Sequence, residues 1–327
     1  MTAGDDGEKF TFVITEQDKN EFKRLDQYLA SKLKDQSRSY IKMIFEQGLI
    51  TAKNNKKKIE LKKFPEVGCE LTVIIPTPRS ADAQPEDIPI EILFEDEHLI
   101  IINKAAGMVV HPAPGNYTGT LVNAILHHCK DLQGVGDQKR PGIVHRLDKG
   151  TSGVMVVAKN QKTHEGLVKL FSTHDIERKY ECVAMGKKFD ESGVLKSTIG
   201  RHPQNRLKMS IESKDGKNAI TYYKVITQFS KVAHLEMTLE TGRTHQIRVH
   251  LSQLLNRPIM CDPLYSNPKE NLQRVGKNIA AIIGNYEFPF LHAKLLGFVH
   301  PITKEKMLFE TPPPEIFQKV LEGLRLE

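Results

Sequence analysis

Four cysteines in 327 residues, at positions 69, 129, 182 and 261, lie far apart and form no CxxC pair. That spacing argues against a disulfide framework and a structural zinc site, and the expectation is reduced thiols that pack rather than react. Apolar runs are short: a stretch such as Leu99–Ile102 is a strand's worth, against the ~18 residues that a bilayer span needs. The opening MTAGDDGEKF is acidic and has no apolar core, so it reads as neither a signal nor a transit peptide. A cytoplasmic location with no membrane partner is the expectation. There is no GxGxxG after a strand, no P-loop and no HExxH. Gly134-Val135-Gly136 lacks the apolar strand that a methyl-donor site would place before it. Ser39 and Lys42 have SxxK spacing without the SDN or KTG partners. His127 and His128 are adjacent, so they point apart and hold no metal together. An enzyme with this sequence is expected to work with neither cofactor nor metal.

What is present is an ordinary folded composition, 39% hydrophobic and 27% charged, with mean hydropathy −0.39. The length suggests two domains. The charge is uneven. Residues 19–63 hold 13 Lys and Arg against five Asp and Glu, an excess of eight, while the whole chain carries +7. A compact basic segment on a near-neutral body is the charge footprint of a nucleic-acid-binding module.

That segment has helical pattern. Leu25, Tyr28, Leu29 and Leu33 recur at helical spacing, and Ile41, Ile44 and Phe45 share a face of a second stretch, Ser39 to Gln47. Ser37 is placed to cap the second helix and Gly48 to end it. LITAKNNKKKIELKKF then reads as short strands around an Asn-Asn-Lys turn. Arg38 and Lys42 stand one turn apart, away from the apolar stripe, where phosphate contacts would orient RNA without reading its sequence. RLDQYLA, SRSYIKMIFEQGLITAKN and VGCELTVIIP together resemble the S4 RNA-binding domain. The resemblance implies RNA contacts from Arg24, Ser37, Arg38, Lys42 and Lys53. Residues 1–76 are therefore expected to form a small S4 (αL-like) domain with a short N-terminal extension.

Residues 77–89 read as a linker, because PTPRSADAQPEDIP carries four prolines in 14 residues and no apolar period. Residues 90–327 form the second domain. IEILFEDEHLIIINK looks like two strands around an acidic turn, and VMVVAK and HLEMTLE are strand-like. THQIRVHLSQLL puts Ile247, Leu251, Leu254 and Leu255 on one helical stripe. No regular strand–helix alternation appears, so the expected class is α+β with a largely antiparallel, mixed sheet.

Within that domain RPGIVHRLDKGTSGVMVVAK sets Asp148 between Arg146 and Lys149, followed by Gly150, Thr151, Ser152 and Gly153. Such a tight loop can lift a carboxylate into a cleft, with basic neighbours favouring its charged form. ETGRTHQIRVHL is dense in cations and hydrogen-bonding groups, and Arg243 is the expected partner of Asp148, holding it ionised as a nucleophile requires. Tyr180 leads into a strand and can stack on a base or carry a proton. Each taken singly has a structural reading: a turn-capping Asp, a structural ion pair, a half-buried core Tyr.

HRLDKGTSG, NKAAGMVVHP, TGRTHQIRVHL, RHPQNRLKMS and FLHAKLLGFVHPITKEKMLFETPPP resemble the motifs of the RluA/RluD-type pseudouridine synthases, and with the S4-like segment the resemblance is nearest to the RluD type. It implies conversion of uridine to pseudouridine in large-subunit rRNA, as free rRNA or within a ribosomal particle. It also implies that Asp148 is the nucleophile, that Tyr180 stacks on the flipped base, that Arg243 pairs with the aspartate, and that Arg146 enters the RNA stack. His111 and His145 would be structural. The family's Lys-Pro-Ala-Gly is here Lys104-Ala105-Ala106-Gly107, a less rigid turn. Other readings are a tRNA-specific synthase and a non-catalytic RNA-binding ribosome assembly factor. A monomer is expected.

Overall fold

The computed structural model describes residues 7–33, 36–55, 57–76, 83–113, 115–130, 132, 134–137, 140–211 and 213–326, and the chain divides into two compact units, Met1–Ser80 and Ala81–Glu327. Residues 77–82 of the expected linker lie outside the described residues. The stretch that follows is docked on its own unit: Asn123 donates to the Gln84 carbonyl, and the Glu86 amide donates to the Asn123 carbonyl.

The first unit contains β1 (Gly7–Val13), α1 (Glu16–Glu21), α2 (Leu25–Lys32), α3 (Arg38–Glu46), β2 (Ile50–Lys53) and β3 (Glu70–Pro76). The antiparallel sheet has the order β1-β3-β2. The apolar stripe of α2 and that of α3 meet the sheet: Leu25, Leu29, Ile41, Ile44, Leu71 and Val73 are fully buried together. Ser37 caps α3 as its spacing suggested, accepting from the Tyr40 amide. Two readings are corrected. Among the described residues of the 49–64 stretch only Ile50–Lys53 is a strand, and its partner is β3, where Leu71 and Val73 are fully buried, while Ile59, Leu61 and Phe64 pack on the same core outside any strand. Strand β1 was not read in the acidic N-terminal stretch at all.

The second unit contains β4 (Glu91–Glu95), β5 (Leu99–Lys104), α4 (Leu121–His128), β6 (Gly136–Asp137), β7 (Arg140–Pro141), β8 (Ser152–Ala158), α5 (Gln161–Thr173) and β9 (Glu177–Met185). These are followed by β10 (Ser192–Arg201), β11 (Met209–Ile211), β12 (Lys217–Gln228), β13 (Val232–Leu239), α6 (Gln246–Val249), α7 (Pro268–Val275), α8 (Lys277–Ile283), β14 (Leu291–Val299), β15 (Lys306–Glu310) and α9 (Glu315–Arg325). Among the described residues one large sheet runs β11-β10-β12-β13-β9-β14-β8-β5-β4, with β15 on β14. Every pairing in it is antiparallel except β14 with β8. This is the expected α+β class with a largely antiparallel, mixed sheet. Strands β5 and β8 are continuous apolar runs, as strands covered on both faces are, and β8 is buried throughout. No helix among the described residues is long and apolar enough to cross a membrane.

After α6 the chain widens into a π turn, His250–Leu254. The extra residue shifts the helical phase. Ile247 and Leu251 therefore stay in the core, while Leu254, expected on the same stripe, is 37% exposed.

The seam between β14 and β8 needs a glycine. Gly153 has φ +117°, and a Cβ there would collide with the Ala293 carbonyl. Gly153→Ala is expected to cost on the order of 3 kcal/mol, read as a fall of about 6–12 °C in the melting midpoint. On β9, the buried Glu181 carboxylate is held by His234 at 2.9 Å and Lys294 at 2.6 Å. These partners outweigh burial and hold its pKa at about 2. A carboxylate depressed in the fold stabilises it above its unfolded pKa and loses that contribution as pH falls towards 2. Acid titration of unfolding is thus expected to lose roughly 3 kcal/mol between about pH 5 and pH 2, and Glu181→Gln is expected to flatten that limb.

Candidate active site

Asp148 sits in the loop that enters β8. Its carbonyl accepts from the Thr151 amide at 3.0 Å, closing a turn that presents the carboxylate outward. The loop is anchored from beneath by Lys104, at the end of β5 and 1% exposed. The Lys104 ammonium donates to the carbonyls of Ala105 and Met108 at 2.9 Å and to that of Lys149 at 3.4 Å. Burial lowers its pKa to about 7, opposed by the Asp148 charge. The Gly107 amide also donates to the Lys149 carbonyl, so the NKAAG turn and the Asp148 loop are stitched together.

Asp148, Tyr180, Arg146 and Arg243 line one small cavity of about 60 Å³, with Leu147, Leu239 and Ile247 among its apolar walls. The four residues singled out in the sequence are thus brought together. Tyr180 lies on β9, between Met237 of β13 and Ala293 of β14, and only 9% of it is exposed. Burial raises its phenol pKa and Asp148 adds to that, while Arg178 opposes it. Arg146 is exposed and, among the described residues, has no ion pair or hydrogen bond. His145 stacks on Phe171 and accepts from the Val156 amide at 3.1 Å. Burial, together with Arg178, drives its pKa down to about 3, so it is a neutral structural group.

The partner of Asp148 is not the expected one. Arg243 turns away: its Nε donates to the Asn218 carbonyl at 3.0 Å, and its amide is capped by Gln246 at 2.9 Å. Arg248 takes its place, donating from Nη1 to Asp148 Oδ2 at 2.9 Å. The reason is helical phase. His245 adopts a left-handed backbone (φ 57°) that opens α6, leaving Arg243 outside the helix and placing Arg248 on its inward face. Arg248 is buried and forks onto Asp262 as well, Nε to Oδ2 at 2.7 Å and Nη2 to Oδ1 at 2.8 Å. Asp262 is fully buried, and its Oδ1 also accepts the amides of Leu264 and Tyr265. Burial lowers the pKa of Arg248, but the two carboxylates outweigh it and the net shift is upward. Arg248 and Asp262 were missed as a pair. The available signal was a charged residue flanked by the core positions Ile247, Val249 and Leu251, which must find a buried counter-charge.

The candidate contacts on the first unit have structural duties. Arg24 and Arg38 both converge on Asp26, at 3.0 and 2.7 Å, Lys42 lies 3.6 Å from Glu46, and the Ser37 hydroxyl caps α3. Lys53 is exposed on edge strand β2. Cys69, Cys182 and Cys261 are buried free thiols, and burial pushes Cys261 up to about 11. Among the described residues Glu95, His128 and Cys129 are the one trio of metal-ligating types held close together, and Lys159 already occupies Glu95 at 2.7 Å.

A sequence model of the family described as RNA pseudouridylate synthase matches residues 98–253. An uncharacterised RNA pseudouridine synthase of Bacillus subtilis is 39% identical over 312 residues, covering 95% of this chain and 97% of its own. The ribosomal large subunit pseudouridine synthase D of Zymomonas mobilis is 41% identical, covering 93% and 94%. Among solved structures, human RNA pseudouridylate synthase domain containing 4 superposes with a TM-score of 0.54 at 28% identity, covering 72% of this chain and 93% of that one. These findings define an RNA-modifying isomerase. The chain belongs to the RNA pseudouridine synthase family, of the RluA/RluD type.

Removing the Arg248 guanidinium strands Asp262 without a counter-charge. Arg248→Met is expected to cost about 3–5 kcal/mol of stability in urea titrations. Arg248→Met with Asp262→Leu is expected to recover much of that stability while leaving the enzyme inactive.

Proposed function

We propose that this enzyme converts uridines of large-subunit rRNA to pseudouridine, with Asp148 acting on the sugar carbon C1′. The observation that carries the reading is a carboxylate held by Arg248, which Asp262 holds in turn, at a cavity that Tyr180 also lines. The isomerisation balances internally. The C1′–N1 bond breaks, the base turns, the C1′–C5 bond forms, C5 releases its proton and N1 ends protonated. Asp148 supports the electron-poor C1′ as the base departs, and the base itself is the nucleophile that returns, so no external reactant is consumed.

The other groups follow from their surroundings. Arg248 holds the Asp148 carboxylate without giving up its own proton, because a guanidinium between two carboxylates stays charged. Tyr180, with its phenol proton held more tightly than in water, offers a neutral ring for the flipped base to stack on. Arg146, exposed and unpaired among the described residues, suits the gap that the departing base leaves in the RNA. Flipping costs a few kcal/mol, which such an insertion and phosphate contacts help to offset. We assign the first unit as an S4-type RNA-binding domain that supplies those contacts through Arg24, Arg38, Lys42 and Lys53, with Ser37 shaping the helix that carries two of them. The names of its large-subunit relatives favour rRNA over tRNA.

Carbodiimide treatment and primer extension on unmodified large-subunit rRNA, free and in assembling particles, test the reading. Wild-type enzyme is expected to produce new stops and Asp148→Asn none. Stops only on tRNA would move the substrate, and none on any RNA would leave an assembly factor. Activity retained in Asp148→Asn would take the chemistry away from Asp148.

A further inference from the structure

His245 opens α6 beside Asp148 and is half-buried, and the Asp148–Arg248–Asp262 network does not use it. Its Nε2 lies 3.8 Å from Asp148 Oδ2, the same oxygen that Arg248 holds at 2.9 Å. Among the described residues no donor reaches Oδ1. On its other side His245 Nδ1 is 2.8 Å from the Tyr265 hydroxyl, with the two rings edge to face.

The proton positions follow from counting donors. The Met209 amide, at the start of β11, donates to the Tyr265 oxygen at 2.7 Å. The phenol then has one proton to give, and His245 Nδ1 at 2.8 Å is a better acceptor than the Met209 carbonyl at 3.5 Å. With Nδ1 accepting, the proton of the neutral ring sits on Nε2, facing Asp148. The strand that supplies the Met209 amide is itself fixed, because Gln253 in the π turn accepts from the Ile211 amide at 3.0 Å.

Resting on the function proposed above, we propose that His245 is a positioning residue. Its Nε2–H, held in that tautomer by Tyr265, joins Arg248 on Oδ2 and turns Oδ1 of Asp148 towards C1′. The gap of 3.8 Å is longer than a hydrogen bond, and rotation of the carboxylate closes it; such contacts commonly tighten only with substrate bound. The charged groups around the ring are Asp148 and Asp262 on one side of the balance and Arg248 and Arg146 on the other, and burial is the largest influence, so the ring is held below its ordinary pKa. Neutrality matters because an imidazolium would donate from both nitrogens and no longer need the phenol proton.

Two substitutions and one spectrum test this. His245→Asn tolerates the left-handed backbone and removes the ring. It is expected to lower kcat for pseudouridine formation by about tenfold or more, with KM within about threefold. Tyr265→Phe is expected to lower kcat by roughly three- to tenfold. The double variant is expected to be no worse than His245→Asn, because both act through one contact. Long-range ¹⁵N spectra of the wild-type ring, taken without RNA, are expected to show Nε2 protonated and Nδ1 not, and Tyr265→Phe to disturb that pattern. Wild-type kcat in His245→Asn, effects that multiply in the double variant, or a proton on Nδ1 would each overturn the proposal. If His245→Asn does not fold, Tyr265→Phe and the spectrum decide it. A wild type that modifies no RNA would sink the proposed function instead, and the spectrum would still report the tautomer.

Discussion

The Asp148 carboxylate is held at the cavity by a neighbour that cannot give up its proton, the buried guanidinium of Arg248. A buried guanidinium is itself costly, by several kcal/mol if left alone. Asp262 therefore has to be buried with it, and Asp262 in turn takes the amides of Leu264 and Tyr265. Each of these demands fixes another piece of chain. The phase of α6, the turn after Met260 and the placement of Tyr265 all serve one ion pair, Arg248–Asp262, that holds a second carboxylate, Asp148, at the cavity. The site is better understood as a chain of charge compensation than as a collection of reactive residues.

Beneath that chain is a backbone device of a different kind. Lys104 gives its ammonium to peptide carbonyls and, among the described residues, to no carboxylate, so it ties the NKAAG turn to the residue that follows Asp148. With Ala105 rather than a proline after Lys104, that turn has no locked φ. The ammonium and the Gly107 amide supply the constraint from outside the turn.

Much of this was legible from the sequence, for reasons that differ by element. Strands β5 and β8 announced themselves by apolar content, β13 by alternation, and α2 and α3 by helical spacing, with a serine cap on α3. Asp148 and Tyr180, each with a structural reading when taken singly, were legible with Arg146 as a cluster because the chain's motifs resemble those of one family. What could not be read was phase and partner. Arg243 and Arg248 are both arginines in one motif, and only the left-handed residue at His245 decides which faces inward. The π turn shifts Leu254 out of its stripe by one residue, a displacement that a period of 3.6 does not contain. Strand β2 pairs with β3, whose Leu71 and Val73 are fully buried, although Ile59 and Leu61 lie nearer in sequence and also pack on that core. Asp262 lies 14 residues from Arg248, across a loop whose course the composition does not encode.

The sheet order carries a consequence in time. Strands β8 and β9 are consecutive among the long strands, yet they do not pair; β14, near the end of the chain, lies between them. The strands of the half that bears Asp148 and of the half that bears Tyr180 are paired into one sheet only when residues 291–299 arrive. On a ribosome making this protein, the N-terminal unit is complete in sequence by residue 80, some two hundred residues before the seam can close. Domains fold as units while synthesis proceeds, so the basic unit emerges first and the catalytic pocket is assembled last.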